Sequence, residues 1–252
     1  MHPLTLRRQA LRLLDSGLTL NEVSRQLDLP YATVAEWRRH RRIHSPVTDS
    51  CPRCAEVACL PDPADAYCYL LGLYLGDGHI VHHRRGVYRL KIACAEAWPG
   101  ILEEAAGAIH AITGRPVGRA RQTGCVSVNS YSKHWPHLFP QHGPGRKHER
   151  RIVLEAWQSE LVARHPGRLV RGLVHSDGWR GTNRVRRRVD GADHWYAYPR
   201  YLFKNESPDI RGIYCDALDA LGVAWRQNKR DEISVARREA VDLLDRHVGP
   251  KY

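Results

Sequence analysis

The chain has 252 residues, 42% of them hydrophobic, which allows one large domain or several small domains with buried cores. It has no apolar run of about eighteen residues and no apolar segment near its first residue, so we expect neither a membrane span nor a signal peptide. The formal net charge of +12 favours a polyanionic partner, most often nucleic acid, although a basic surface without a partner also fits. The expected location is the cytoplasm, on the bacterial nucleoid if the partner is DNA, with no membrane contact.

Residues 1–43 have the periodicity of three short helices separated by turns. Leu6, Ala10 and Leu13 form one apolar face, and Val34 and Trp37 point inward from the third helix. This order resembles the homeodomain-like helix-turn-helix of bacterial regulators and recombinases, whose last helix enters the major groove of DNA. The resemblance implies a DNA-binding domain with contacts from three arginines, Arg38, Arg39 and Arg41; a helical domain used only for packing is the alternative.

Residues 44–66 are polar and interrupted by prolines, which predicts a linker. Cys51 and Cys54 lie two residues apart, a spacing that suits one corner of a tetrahedral Zn²⁺ site. The next cysteines, Cys59 and Cys68, follow at irregular intervals and do not complete a familiar ligand pattern. A zinc knuckle and plain free thiols therefore both remain open for this segment.

Residues 67–252 contain an internal repeat, in which residues 70–78 match residues 170–178. Each unit shows the pattern helix, two strands, helix, two strands, helix, which predicts an α+β fold with repeats at 67–150 and 151–252. One unit alone would leave its helix and sheet unburied, so the two must pack together. We expect a monomer with internal pseudo-twofold symmetry, preceded by the all-α helix-turn-helix domain.

Each repeat contains an apolar helix that ends in an Asp-Gly pair, Asp77-Gly78 or Asp177-Gly178. Small residues four apart before each aspartate predict that the two helices cross closely, and the glycines suit a left-handed helix end. A carboxylate at a helix C-terminus faces the negative end of the dipole, and two that meet there also repel each other. A divalent cation would relieve both effects, although Asp-Gly can also be a simple helix-ending turn.

These two nonapeptides, the repeat order and the basic charge resemble the LAGLIDADG homing endonucleases in their single-chain, two-motif form. The resemblance covers residues 67–252 and implies two αββαββα units that straddle double-stranded DNA. It also implies that the last acidic residue of each motif, Asp77 and Asp177, binds a catalytic Mg²⁺. Leu75 and His175 depart from the first aspartate of the family motif.

We also expect basic residues around the scissile phosphates. Aligning the repeats on Pro99 and Pro208 pairs Lys91 with Arg200, one on the first strands of each half, where they would neutralise charge on the phosphates. Lys133 and Lys229 are weaker candidates for DNA contact because their repeat positions do not coincide. Two interpretations are open for residues 143–151, which either contact phosphate or form a charged linker. An arginine-rich hairpin after the second motif is the stronger candidate, with Arg180, Arg184, Arg186, Arg187 and Arg188.

Two functions fit these observations. The first is a Mg²⁺-dependent endonuclease for double-stranded DNA, in which Asp77 and Asp177 activate water while Lys91 and Arg200 neutralise charge. The second is a transcriptional regulator that keeps the fold and the helix-turn-helix without cutting. Retention of both aspartates favours the first function, and the N-terminal helix-turn-helix favours the second.

Overall fold

The computed structural model describes residues 4–39, 61–83 and 87–251, which belong to two compact units divided between Ser45 and Pro46. The predicted zinc ligands Cys51 and Cys54, and the predicted DNA contact Arg41, lie outside the described residues. Within the described ranges, no helix is both long and apolar enough to cross a membrane.

The N-terminal unit contains the three predicted helices: α1 (Leu4–Asp15), α2 (Leu20–Gln26) and α3 (Tyr31–Arg39). Thr19 caps α2, since its backbone N–H donates to Glu22 Oε2 over 2.7 Å while its hydroxyl accepts from the Glu22 N–H. The core consists of Ala10, Val23, Leu29, Val34 and Trp37. Of the predicted apolar residues, Ala10, Val34 and Trp37 are buried, and Leu6 and Leu13 pack against this core partly buried. Arg38 and Arg39 are exposed on α3, and their contact with DNA stays a prediction.

The larger unit has the predicted α+β architecture, with the order αββαββα twice. The first repeat comprises α4 (Ala64–Leu75), β1 (Gly78–His83), β2 (Val87–Ala95), α5 (Pro99–Thr113), β3 (Gly118–Gln122), β4 (Cys125–Ser132) and α6 (Trp135–Leu138). A connecting helix, α7 (Ala156–Arg164), precedes the second repeat, which comprises α8 (Pro166–Asp177), β5 (Gly178–Val189), β6 (Ala192–Lys204), α9 (Pro208–Ala220), β7 (Arg226–Lys229), β8 (Glu232–Val235) and α10 (Arg238–Val248).

Each repeat forms one antiparallel four-stranded sheet, in the order β1-β2-β4-β3 or β5-β6-β8-β7. Gly78 pairs with Ile92 and Gly178 pairs with Phe203, which makes Ile92 and Phe203 equivalent positions. Counting three residues back from Ile92 along β2 and from Phe203 along β6 reaches Arg89 and Arg200, which are therefore counterparts.

The predicted pairing of Lys91 with Arg200 is thus wrong by two residues, because β2 continues three residues beyond Ile92 to Ala95, whereas β6 ends one residue beyond Phe203 at Lys204. Both side chains also lie on the second strand of their repeat rather than the first. The same equivalence extends to the fourth strands, where Val128 pairs with Ile92 and Ile233 pairs with Phe203.

The two motif helices α4 and α8 cross at the centre of the larger unit. A Cβ atom on Gly72 would lie 2.4 Å from the carbonyl oxygen of Leu169 and 2.9 Å from Gly172 Cα. Real Cβ atoms do not approach this closely, so the crossing requires glycine on both helices, as the small-residue pattern predicted. Nearly all of α4 is buried by this contact and by the two sheets.

Gly78 and Gly178 do not have the left-handed conformation expected of them. Gly178 has a φ of −94°, and each glycine begins a strand directly against the helix that precedes it. A Cβ atom would lie 2.3 Å from Tyr74 Cα at Gly78 and 2.6 Å from Val174 Cα at Gly178. These glycines follow the aspartates because no side chain fits there.

Candidate functional site

The two aspartates meet where the motif helices end. A Cβ atom on Gly76 would lie 3.0 Å from Asp177 Oδ2, so the second carboxylate packs against the backbone of the first motif. Burial and the negative charge of Asp177 raise the pKa of Asp77 to about 6, even though Asp77 keeps one exposed side. Burial also raises the pKa of Asp177, which is half-buried.

Two lysines lie beside the aspartates, and each binds the end of a motif helix. Lys147 Nζ donates to the carbonyl oxygens of Tyr74 and Gly76, the latter over 2.8 Å. Lys251 Nζ donates to the carbonyl oxygen of Gly178 over 2.6 Å. Both ammonium groups therefore stabilise the electronegative ends of helices whose last turns contain no lysine or arginine.

The two lysines and the two aspartates interact across the motifs. Lys147 and Lys251 each interact with both carboxylates. Burial lowers the pKa of Lys147 to about 8, and the two carboxylates partly oppose that change. Burial lowers the pKa of Lys251 as well. The result is a centre with two carboxylates and two ammonium groups in pseudo-twofold arrangement.

The surroundings of the two carboxylates differ. Asp177 Oδ2 accepts a 2.6 Å hydrogen bond from Asn205 Nδ2 and borders a cavity of about 560 Å³ that Lys147 also lines. Two further residues of that cavity, His79 and His142, have pKa values lowered by burial.

On its buried side, Asp77 borders a cavity of about 100 Å³ with Lys251, Trp98 and His175 as neighbours. Burial lowers the pKa of His175 to about 4, and its Nδ1 lies 3.0 Å from the hydroxyl of Tyr69. This histidine is therefore neutral at physiological pH and part of the packed centre.

The predicted basic pair does not line either of these cavities. Lys91 lies opposite His79 and Asn129 on the solvent face of the first sheet. Arg200 Nε donates to Ser234 Oγ over 2.9 Å, and its Nη2 donates to Asn228 Oδ1 over 2.8 Å. Both side chains lie on sheet surfaces, and their part in DNA contact stays a prediction.

The predicted arginine hairpin is the pair β5 and β6, whose outer half is exposed on both faces. Arg184, Arg186 and Arg188 share one face of β5, and Arg187 lies on the opposite face; all four are exposed. Arg187 lies over the ring of Tyr196, 5.8 Å from its centroid. Arg180 instead forms a 2.8 Å ion pair with Asp245 of α10, on the helix side of the sheet. Lys133 and Lys229 are exposed, the first after β4 and the second on the edge strand β7.

Lys147 and Lys251 were not among the residues that the sequence singled out. A signal for them exists, because each follows a Gly-Pro pair that occurs once in each repeat, at 143–144 and 249–250. The two lysines stand at different distances from that pair, so a strict alignment of the repeats does not bring them together.

The centre offers two carboxylates for a divalent metal ion. No group of three or more histidine, cysteine, aspartate or glutamate side chains suited to a metal occurs among residues 4–39, 61–83 and 87–251. Mg²⁺ commonly binds one or two carboxylates and completes its shell with water and substrate phosphates. The raised pKa values of both aspartates indicate that added positive charge would be stabilising. The residues present therefore fit a metal ion that is shared with a bound phosphate.

No protein-family model and no curated protein matches the sequence. Similar solved structures include the homing endonuclease I-WcaI bound to its DNA recognition sequence, with 13% identity and a TM-score of 0.47 over 75% of this chain and 82% of that one. The N-terminal LAGLIDADG domain of DUF199/WhiA has 10% identity and a TM-score of 0.45 over 74% and 83%. The LAGLIDADG meganuclease I-AabMI bound to uncleaved DNA has 9% identity and a TM-score of 0.44 over 72% and 82%. With its two αββαββα repeats and crossed motif helices, the chain has a LAGLIDADG-like fold.

Proposed function

We propose that this protein binds double-stranded DNA and hydrolyses its phosphodiester bonds at the centre formed by Asp77 and Asp177. The observation that carries the proposal is the meeting of two carboxylates with two lysines where the motif helices end, one carboxylate and one lysine from each repeat. Duplex DNA has two antiparallel strands related by local twofold symmetry, so a pseudo-twofold centre suits one scissile phosphate on each strand.

The solvent faces of the two sheets support DNA binding. Arg89 and Lys91 lie on that face of the first sheet, and Arg187 and Arg200 lie on that face of the second. A positively charged sheet surface can contact phosphates, while its polar and aromatic side chains reach base edges. The net charge of +12 adds a general attraction for DNA. We expect the helix-turn-helix unit to add further contacts through Arg38 and Arg39.

A divalent metal ion held by Asp77 and Asp177 would polarise the phosphate and lower the pKa of a bound water. The chain itself contributes fixed positive charge. Lys147 uses two of its three N–H groups on the carbonyl oxygens of Tyr74 and Gly76, which leaves the third for a phosphate oxygen. Asp77 is mostly ionised above about pH 6, so metal binding should strengthen as pH rises from 5 to 7.

A second candidate function, a transcriptional regulator that binds DNA without cutting it, is favoured by one observation. The ammonium groups of Lys147 and Lys251 already bind the helix ends next to the aspartates. The centre therefore has a source of positive charge in the absence of metal, and a regulator would need no further ion there.

Selection of bound duplexes from a randomised library, followed by incubation with Mg²⁺ or Mn²⁺, tests these alternatives. We expect metal-dependent cutting that is lost in Asp77→Asn with Asp177→Asn and retained in Asp216→Asn with Asp242→Asn, which makes the same charge change at exposed positions of α9 and α10. All three proteins should bind the duplex in Ca²⁺. Binding without cutting by the unmodified protein would contradict the nuclease proposal and favour the regulator.

A further inference from the structure

The two halves of the centre differ in one side chain, Asn205, which follows strand β6. Its Nδ2 donates to Asp177 Oδ2 over 2.6 Å. No hydrogen bond to the carboxylate of Asp77 is found among the described residues, and Asp77 is the more exposed of the two aspartates. One carboxylate is therefore held in a fixed orientation, and the other is not.

Asn205 is itself held by three further hydrogen bonds. Its backbone N–H donates to the Asp231 carbonyl over 3.0 Å, and its own carbonyl accepts from Arg211 Nη1 over 2.6 Å. The side-chain oxygen Oδ1 accepts from the Ser207 N–H over 2.9 Å. Because a backbone N–H can only donate, this contact fixes the amide orientation and directs the Nδ2 group at Asp177.

The equivalent position in the first repeat is Cys94, because Ile92 and Phe203 are equivalent in the sheets and Cys94 and Asn205 each lie two residues further along the chain. Cys94 is buried and lines the same small cavity as Asp77. A thiol is only a weak hydrogen-bond donor, so the first repeat lacks the amide contact that orients Asp177 in the second.

We infer that Asn205 is a positioning residue that makes the Asp177 half of the centre the faster one, so that the two DNA strands are cut in sequence. The inference rests on the proposed function. Each cut adds one water across one phosphodiester: the water oxygen bonds to phosphorus, the P–O bond to one deoxyribose oxygen breaks, and that oxygen takes up a proton. A duplex nicked in one strand accumulates before the second cut.

The test follows the two strands of a selected duplex separately, each with its own end label. Groups that orient a metal ligand typically change affinity or activity 10- to 100-fold, so we expect the strand rates to differ by about tenfold or more. Asn205→Ala should slow the faster strand and bring the ratio near one. Cys94→Asn, which supplies an amide at the equivalent position beside Asp77, should speed the slower strand, an effect that general loss of stability cannot produce.

Mn²⁺ binding to the protein–DNA complex, measured by electron paramagnetic resonance, provides a readout independent of turnover. We expect two sites of unequal affinity, with Asn205→Ala weakening only the tighter site, by about tenfold. Equal strand rates in the unmodified protein, or a strand ratio unchanged in both variants, would overturn the inference while leaving the nuclease proposal intact. If the protein does not cut but has unequal Mn²⁺ sites that respond to Asn205→Ala, the positioning role is supported and cleavage is contradicted. If the protein neither cuts nor binds Mn²⁺, both proposals are overturned.

Discussion

The two repeats are most alike where their helices cross and least alike at the outer ends of their sheets. At the crossing, Gly72 of the first half and Gly172 of the second each pack against the backbone of the other motif helix. At the outer ends, β1 and β2 have 6 and 9 residues, whereas β5 and β6 have 12 and 13. The first hairpin bears histidines, and the second bears the exposed arginines and aromatic residues.

This difference follows from what each region contacts. At the crossing, atoms of one motif pack against the backbone of the other, so almost any added atom clashes. The outer half of the β5–β6 hairpin contacts no core, and changes there leave the packing unaffected. A pseudo-symmetric frame can therefore carry an asymmetric surface, as recognition of an asymmetric DNA site requires.

The largest effect is expected at the crossing itself. Gly72→Ala places a methyl group 2.4 Å from the Leu169 carbonyl oxygen, and should lower the free energy of unfolding by about 3 kcal/mol or more. Gly107→Ala is the matched control within α5, because its Cβ atom meets nothing within 4 Å, and it should stabilise by about 0.5–1 kcal/mol. Urea denaturation measures both changes. Equal effects of the two substitutions would show that the helices are not in close contact.

A smaller effect is expected at the outer hairpin. Replacing Arg184, Arg187 and Arg188 by serine should weaken DNA binding by about 10- to 100-fold at physiological salt and reduce the slope of log K against log salt by roughly 2–3. Folding stability should not change, since all three side chains are exposed. Fluorescence anisotropy at several salt concentrations measures the slope.

The matched control for the hairpin replaces three exposed arginines in or next to α10, namely Arg237, Arg238 and Arg246. This variant has the same net charge as the hairpin variant. If it lost as much affinity and as much salt dependence, the hairpin would have no special part in DNA binding.

The smallest expected effect is a difference in folding stability between variants of the two aspartates. The pKa of Asp77 is raised to about 6, so the stability that its protonated form provides is present below about pH 4 and lost as pH rises through 6. Asp77→Asn should therefore raise the free energy of unfolding at pH 7.5 in EDTA, by about 1 kcal/mol once solvent screening is included, and by little at pH 4.

Asp177→Asn should stabilise less than Asp77→Asn, because it removes the charge-assisted hydrogen bond from Asn205. Urea denaturation of both variants at the two pH values tests this order. A larger gain from Asp177→Asn would contradict the difference between the halves.

The sequence was sufficient to predict the repeat, the order of its elements and the meeting of Asp77 with Asp177, because each depends on local periodicity or on a duplicated motif. Strand register was not predictable, since β2 extends two residues further beyond its pairing with the motif glycine than β6 does. The predicted pairing of Lys91 with Arg200 failed for this reason.

The lysines of the centre were missed for a related reason. Lys147 begins a three-residue 3₁₀ turn and Lys251 lies in an irregular segment, both after the last α-helix of their repeat, where periodicity carries no information. Their positions follow from long-range hydrogen bonds to the motif helices. Asn205 shows the same limit, because its orientation depends on Ser207, Arg211 and Asp231 together.

The placement of Lys147 and Lys251 has a consequence for dividing the chain. Each lysine belongs to the repeat whose motif carbonyl it binds, while it interacts with the carboxylates of both repeats. A chain severed between residues 151 and 156 would yield two fragments, each with one acid and one amine and neither with the full centre. Only reassociation of the fragments would restore that centre, so the protein has the layout of a two-component complementation system contained in a single polypeptide.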